Sequence, residues 1–379
     1  MKQNPRPQVA VYYFPNYHVD ARNEKVHGPG WTEWELVKAA KPRWKGHALP
    51  RTPLWGYTDE ADPKQMGQKI AAAADHGVDA FIFDWYWYND GPYLQRGLDE
   101  GYLGAKNRSR VKFALMWANH DWTDIHPRKL TEDPRVLYPG EISRKTFDRA
   151  TAHVIKHYFA QTSYWRLDDC PYFSIYDLPR LISSFGGIKA TARALKQFRL
   201  RTRQAGHRDL HLNLVLWQHG ILAGERSIPV SPKMLTEFGF DSITSYVWIH
   251  HVPLKPFPVM PYQKVCDQYL KYADRTARRF RGMPYFPNVT MGWDASPRTL
   301  QTDRHLDVGY PFMGAMSGNT PANFKRALQA VRRWLKDRPA NQQIATINAW
   351  NEWTEGSYLE PDTEQRLGYL EAIREVFPK

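Results

Sequence analysis

Apolar residues along the chain fall in short continuous runs. Each run gives way to a polar, aromatic-rich break and then to residues with helical periodicity. Runs at 9–14, 78–83, 111–116, 172–175, 210–216, 240–245 and 285–290, with an eighth opening at Ile344, are strand-sized and apolar throughout, as strands buried on both faces are. Between them the spacing predicts helices at 62–76, 93–103, 143–160, 188–205, 262–279 and 321–335, with a last one at 365–376. Asp62-Pro63 marks one helix start and Gly77 its end. Strands alternating with helices imply a parallel sheet. Eight such units, with no Gly/Ser- or Pro-rich linker to divide them, point to one α/β domain over residues 1–379, a (β/α)8 TIM barrel with long loops. A doubly wound sheet is the alternative, but neither G-x-G-x-x-G nor a Walker sequence follows any strand.

The breaks carry the chemistry. Every predicted strand ends in Trp or Tyr, most with Asp, Asn, His, Gln or Glu nearby, and in a barrel these ends converge on the face that holds the active site. The candidate substrate-binding residues are therefore Tyr13, Tyr17 and His18 after the first strand, Trp31 and Glu33 in the long loop that follows, and Asp84, Tyr86 and Tyr88 after the second. Trp117, Asn119, His120 and Asp121 follow the third strand and Tyr176 the fourth. Trp217, Tyr246, Trp248 and Trp293 belong to the next three, and Asn348 and Trp350 to the eighth. The most pointed break is Asn351-Glu352-Trp353-Thr354-Glu355-Gly356, where two carboxylates three residues apart are flanked by Trp350 and Trp353. Paired carboxylates in a partly dry aromatic cleft are how glycosidic bonds are usually cut. In a turn their Cβ atoms lie about 5–6 Å apart. Proximity is expected to separate their pKa values into one acid and one base.

Composition narrows the choice. Aromatic residues make up 14%, with 15 Trp and 21 Tyr, more than a core needs, and sugar-binding clefts use such rings as stacking platforms. Cys170 and Cys266 make neither a disulfide framework nor a metal cluster, and H-E-x-x-H, C-x-x-C and G-x-S-x-G are all absent, so neither metal nor cofactor is expected. No apolar run reaches the length of a membrane span, and the segment MKQNPRPQVA has no apolar leader core. A soluble monomer acting on carbohydrate, without nucleic-acid or membrane partners, is the expectation. Lys and Arg exceed Asp and Glu by 52 to 39, a formal charge of +13. That charge suits either an anionic glycan or a solvated coat. Much of it lies on predicted outer helices, and Lys38, Lys41, Arg43, Lys45, Arg51, Arg298 and Arg304 stand nearer the mouth.

The segment Asn351-Glu352-Trp353-Thr354-Glu355-Gly356, with Leu359-Glu360-Pro361 behind it, resembles the N-E-W-x-E-G…I-E-P segment of glycoside hydrolase family 99, the endo-α-mannosidases. The wider chain is similar to the WbsX-like group associated with polysaccharide gene clusters. The supporting segments are Tyr13-Phe14-Pro15-Asn16-Tyr17-His18, Gly30-Trp31-Thr32-Glu33-Trp34, Lys41-Pro42 with Lys45-Gly46-His47, Asp84-Trp85-Tyr86-Trp87-Tyr88-Asn89 and Trp117-Ala118-Asn119-His120-Asp121-Trp122. The resemblance implies a (β/α)8 barrel and a retaining cleavage in which the sugar's own 2-hydroxyl displaces the leaving group through a 1,2-anhydro intermediate. Glu352 would be the base for that hydroxyl. Glu355 would be the acid for the leaving oxygen and then the base for water. Two other readings stay open: a glycosyltransferase of surface-polysaccharide synthesis, as WbsX-like relatives are named, and a non-catalytic glycan-binding barrel. The first lacks a D-x-D metal motif, and the second has no need of a paired acid and base.

Overall fold

The computed structural model describes residues 6–379; the first half of the segment read for a leader, residues 1–5, lies outside the described residues. Eight parallel strands close into a barrel: β1 (Gln8–Tyr13), β2 (Ala80–Tyr88), β3 (Lys112–Trp117), β4 (Cys170–Ile175), β5 (His211–Val215), β6 (Ser242–Thr244), β7 (Tyr285–Phe286 and Asn288–Thr290) and β8 (Ile344–Asn348). Each strand pairs with its neighbours in chain order, and β1 pairs with β8 in the register Val9↔Ala345. Closure runs through β7, which is split at Pro287. Its first half pairs with β6 and its second with β8. Proline has no N–H to give to a ladder, so the strand changes partners there.

The barrel interior is unusually polar. Ser174, Asn213, Ser242 and His211 are joined by hydrogen bonds of 2.7–2.8 Å. Asn288 links to Thr346 and Thr290. These groups are partnered, whereas the hydroxyls of Tyr12 and Tyr172 and the amide of Asn348 are buried without a hydrogen-bond partner among the described residues. Several outer helices start at side-chain caps, of which the sequence marks Asp62. Asp62, Ser143 and Thr320 cap the helices Pro63–Asp75, Arg144–His153 and Pro321–Leu335. Their apolar faces, such as Phe324, Leu328 and Val331, pack on the barrel.

Several elements differ from the sequence expectation, among them the helices Leu178–Ser184 and Pro232–Phe238, which it did not include. The break after residue 83 is not a loop: β2 runs on to Tyr88, then doubles back through the strand Gly91–Tyr93. The helix expected at 93–103 accordingly begins only at Gly97 and is wound wide, as is the second half of the helix expected at 143–160, Val154–Phe159. Aromatic residues favour extended backbone when a hairpin partner is present. The long loop after β1 also carries two short helices, Ala21–His27 and Trp34–Ala39. Among the described residues, no helix is long and apolar enough to cross a membrane.

Candidate active site

A cavity of about 660 Å³ opens at the C-terminal end of the barrel. Its wall includes nine of the expected residues: Asp84, Tyr86, His120, Asp121, Tyr176, Tyr246, Trp293, Glu352 and Glu355. Strand alternation explains which residues reach it. On β2, Asp84 and Tyr86 face inward, whereas Trp85 and Trp87 turn to the helix layer and meet Tyr158 and His153.

The turn bearing the two glutamates is held on every side. Asn351–Glu352 pairs with Ser357–Tyr358 as a short hairpin, with one helical turn, Trp353–Glu355, between them. Gly356 closes it at φ 62°, where a Cβ would stand 2.8 Å from that of Asp294. Asn351 clasps Phe14 of the chain leaving β1, accepting its N–H at 2.8 Å and donating to its carbonyl at 2.6 Å. Glu352 and Glu355 are thereby aimed into the cavity.

Arg298 lies between them. It is 5% exposed, and its guanidinium donates to Glu355 Oε1 at 2.5 Å and to Glu352 Oε2 at 3.1 Å. It stands 2.8 Å from Glu33 Oε1 and lies over the Phe14 ring. Tyr310 donates to Glu355 Oε1 at 2.6 Å. The Tyr246 hydroxyl sits between Asp84 Oδ2 at 2.9 Å and Glu352 Oε1 at 3.1 Å. One phenolic proton cannot fully satisfy two carboxylates, and Asp84 Oδ1 finds no partner among the described residues.

Burial sets the protonation. It pushes Glu352 well above the usual carboxylate range, repulsion from Glu355 adds to this, and Arg298 opposes it. Burial also raises Glu355, but Arg298 and the Tyr310 hydroxyl resist. Burial puts Asp84 well above its ordinary value, against the Tyr246 hydrogen bond. Glu33 is the opposite case: burial would raise it, but Arg298, with Thr354 and Asn16 donating, holds it below the usual range. The resting proton of the pair thus favours Glu352, while two strong donors grip Glu355. Burial lowers His120 and His250 to about 4 and His126 to about 3, so all three are neutral at ordinary pH.

The other expected residues stand outside the cavity wall. Tyr13 faces the helix layer, stacked on Phe83. Trp117 packs on Phe147 and Trp248 on Tyr269, both behind the sheet. Trp350 and Trp353 do not flank the carboxylates as a dry wall. They turn outward, and their indole N–H groups grip Glu360 at 3.0 and 2.7 Å beside Lys69. Tyr17 accepts the Trp353 N–H at 3.1 Å, and His18 is buried 3.7 Å from Glu60. Asn119 exchanges two 2.8 Å hydrogen bonds with the Asp177 backbone, tying the β3 and β4 ends together. Asn348 is fully buried at the end of β8, and Tyr88 is packed against Tyr93 and Tyr138. Trp31, stacked on His27, and Trp217, donating to the Tyr176 carbonyl, stand one layer back. Glu33 acts through Arg298. On β1 and β3 the strand alternation turns Tyr13 and Trp117 to the helix layer, whereas Tyr17, His18, Trp31 and Glu33 belong to the connection after β1.

Sequence reading passed over Tyr310, His126 and Glu225, did not count Trp122 or His250 as substrate-binding, and counted Arg298 only as a charge near the mouth. Tyr310 and Arg298 lie in a long connection after β7 where no periodicity marks them. Arg298 is the one Lys or Arg among the described residues lining the cavity. Among the described residues no group of three or more His, Cys, Asp or Glu is arranged to hold a metal ion.

Residues 9–373 match the family model described as Glycosyltransferase WbsX. The chain belongs to the WbsX family. Among curated relatives, the proteins described as uncharacterized protein WxcX from two strains of Xanthomonas campestris pv. campestris are 26% identical over 382 residues. The match covers 98% of this WbsX chain and 50% of each relative, so the chain spans about half the length of the curated relatives it matches. Among solved structures, a glycoside hydrolase-like protein superposes with a TM-score of 0.61 at 15% identity, covering 100% of this chain and 95% of that one. The family 99 endo-α-mannosidase of Bacteroides thetaiotaomicron gives 0.55 at 14% identity, over 97% and 96%. A family 1 β-glucosidase of Thermotoga maritima gives 0.51 at 11%, over 99% and 98%. At these identities the likeness is one of fold, and this WbsX chain has the TIM barrel shared by these glycosidases.

Proposed function

We propose that this WbsX protein is a retaining glycoside hydrolase, endo-acting on an α-mannoside-like linkage in an oligo- or polysaccharide. The observation that carries this reading is the buried Glu352–Glu355 pair, aimed into one cleft and bridged by Arg298. Burial and mutual repulsion favour a state with one proton on the pair, which is the inventory of one base and one acid that the reaction needs. A sugar 2-hydroxyl donating to Glu352 would favour the anion there and shift the proton to Glu355. Glu352 then takes the hydroxyl proton as that oxygen attacks the anomeric carbon. Glu355 gives its proton to the departing oxygen and afterwards takes one from the water that opens the anhydro ring, while Glu352 returns its proton to the sugar 2-oxygen.

The family's name favours a second reading, transfer of a glycosyl group to a sugar acceptor. The same two carboxylates would serve it, with an acceptor hydroxyl in place of water. A panel of neutral and charged glycans, with products analysed by mass and by the anomeric configuration of the first-formed sugar, separates these outcomes. Shortened chains with retained configuration support the hydrolase. Products that lengthen only when a nucleotide sugar is supplied would replace it with the transferase.

A further inference from the structure

The two sides of the cleft differ in kind. Around β2, β8 and the turn after it, Asp84, Tyr86, Glu352 and Glu355 present polar atoms. Across the barrel, after β5 and β6, Ile221, Leu222 and Val247 present carbon, and Met116, the ladder partner of Asp84 on β3, adds to the apolar lining. The polar side chains on that far side are already engaged with one another. The Tyr176 hydroxyl donates to Glu225 Oε1 at 2.7 Å and lies 3.2 Å from His250 Nε2. His250 Nδ1 is 3.0 Å from the His219 carbonyl. Glu225 Oε2 accepts the N–H groups of Ile221 at 2.7 Å and Leu222 at 3.0 Å, which holds the apolar lip in place. Trp217 backs Tyr176 with its N–H on the Tyr176 carbonyl. A hydroxymethyl group placed against this wall would be buried without a partner, whereas a methyl group would be at home. The charge balance is equally one-sided. Arg298 is surrounded by Glu33, Glu352 and Glu355, with Asp84 one hydroxyl away. Asp121 is matched by Arg180 at 2.8 Å. A substrate carboxylate or sulfate would therefore meet a surplus of acid.

We propose that the sugar seated at the carboxylate pair is a neutral residue bearing a methyl group, from a deoxy position or an acyl substituent, that packs against Ile221, Leu222 and Val247. This rests on the hydrolase reading for which bond is cut, but the choice of sugar can be read without turnover. The test uses matched 4-nitrophenyl α-glycosides: a hexoside, its 6-deoxy counterpart, its 4-acetamido counterpart and its uronoside. One of the two methyl-bearing members should exceed the hexoside in kcat/KM by roughly 10–200-fold, the range that a methyl in an apolar pocket commands. Which one does so tells the deoxy source from the acyl source. The uronoside should be slowest. Leu222→Asn and, separately, Ile221→Thr, both at half-buried positions, should bring the preference down to about twofold or reverse it. The same four compounds are titrated by saturation-transfer NMR. If none is hydrolysed but the methyl protons give the strongest transfer and the methyl-bearing member binds tightest, the hydrolase reading falls and this inference stands. A hexoside or uronoside that equals or beats both methyl-bearing members overturns it, as does failure of all four to bind.

Discussion

Without its guanidinium, Arg298→Met would leave Glu33, Glu352 and Glu355 facing one another with no cation between them. Removing one partner of a buried ion pair typically costs about 3–5 kcal/mol. Urea unfolding of this variant should show a loss of at least about 3 kcal/mol, together with loss of turnover. Asp84→Asn should do the reverse. Burial raises the Asp84 pKa well above its ordinary 3.8, so its contribution to stability is fully present below the unfolded value and is lost as pH rises through the folded one. At pH 7 the ionised or strained carboxyl is a cost, and an amide that still accepts from Tyr246 removes it. Thermal unfolding at pH 7 should rise by about 2 °C and the gain should vanish near pH 4. The two glutamates are separable by leaving group. Glu352→Gln and Glu355→Gln should each lower kcat at least about 100-fold on a natural linkage. A nitrophenyl leaving group, which needs no proton, should restore much of the rate to Glu355→Gln and little to Glu352→Gln. Equal rescue of both would overturn the division of roles.

Between β5 and β6 the chain forms the lip of the cleft, and Glu225 is its pin. Burial pushes this carboxyl up to about 7, although Ile221, Tyr176 and Leu222 all donate to it; Asp177 adds to the rise. Arg180 reaches the same loop at the Gly224 carbonyl, while it pairs with Asp121. A folded pKa above the unfolded one means that the pin's stabilisation is complete below about pH 4.5 and fades as pH rises through about 7. Amide exchange in residues 217–231, corrected for the intrinsic pH effect, should therefore quicken between pH 6 and 8 in the wild type. It should stay level in Glu225→Gln, which keeps a hydrogen-bonding carbonyl but cannot ionise. A wild-type profile that is equally level would show that the lip does not depend on this carboxyl.

For the molecule as a whole, the net charge of +13 bears little on the cleft. Lys38 pairs with Glu35, Arg51 with Glu364, and Arg43 donates to the carbonyls of Gln301 and Asp303. The kcat/KM on the best panel glycan should stay within about twofold between 0.01 and 0.1 M salt, although the Debye length falls from about 30 to about 10 Å. A steep fall would point to an anionic substrate. The barrel itself was legible in the chain, because eight apolar runs separated by capped helices leave a parallel sheet few ways to close, and the turn bearing Glu352 and Glu355 announced itself by composition. Which aromatics face the cleft was not legible. Trp117, Trp248 and Trp350 stand at strand ends just as Tyr176 and Tyr246 do, and a shift of one residue sends a side chain to the helix layer instead of the cavity. Nor does local pattern reveal that Arg298, from an irregular connection after β7, meets Glu33 from the loop after β1, 265 positions earlier in the chain. Patterning along the chain therefore determined the strands, most of the outer helices and the turn that carries Glu352 and Glu355. Strand register and long-range ion pairing, which exist only once the barrel has closed, decided which residues share the site and where its proton rests.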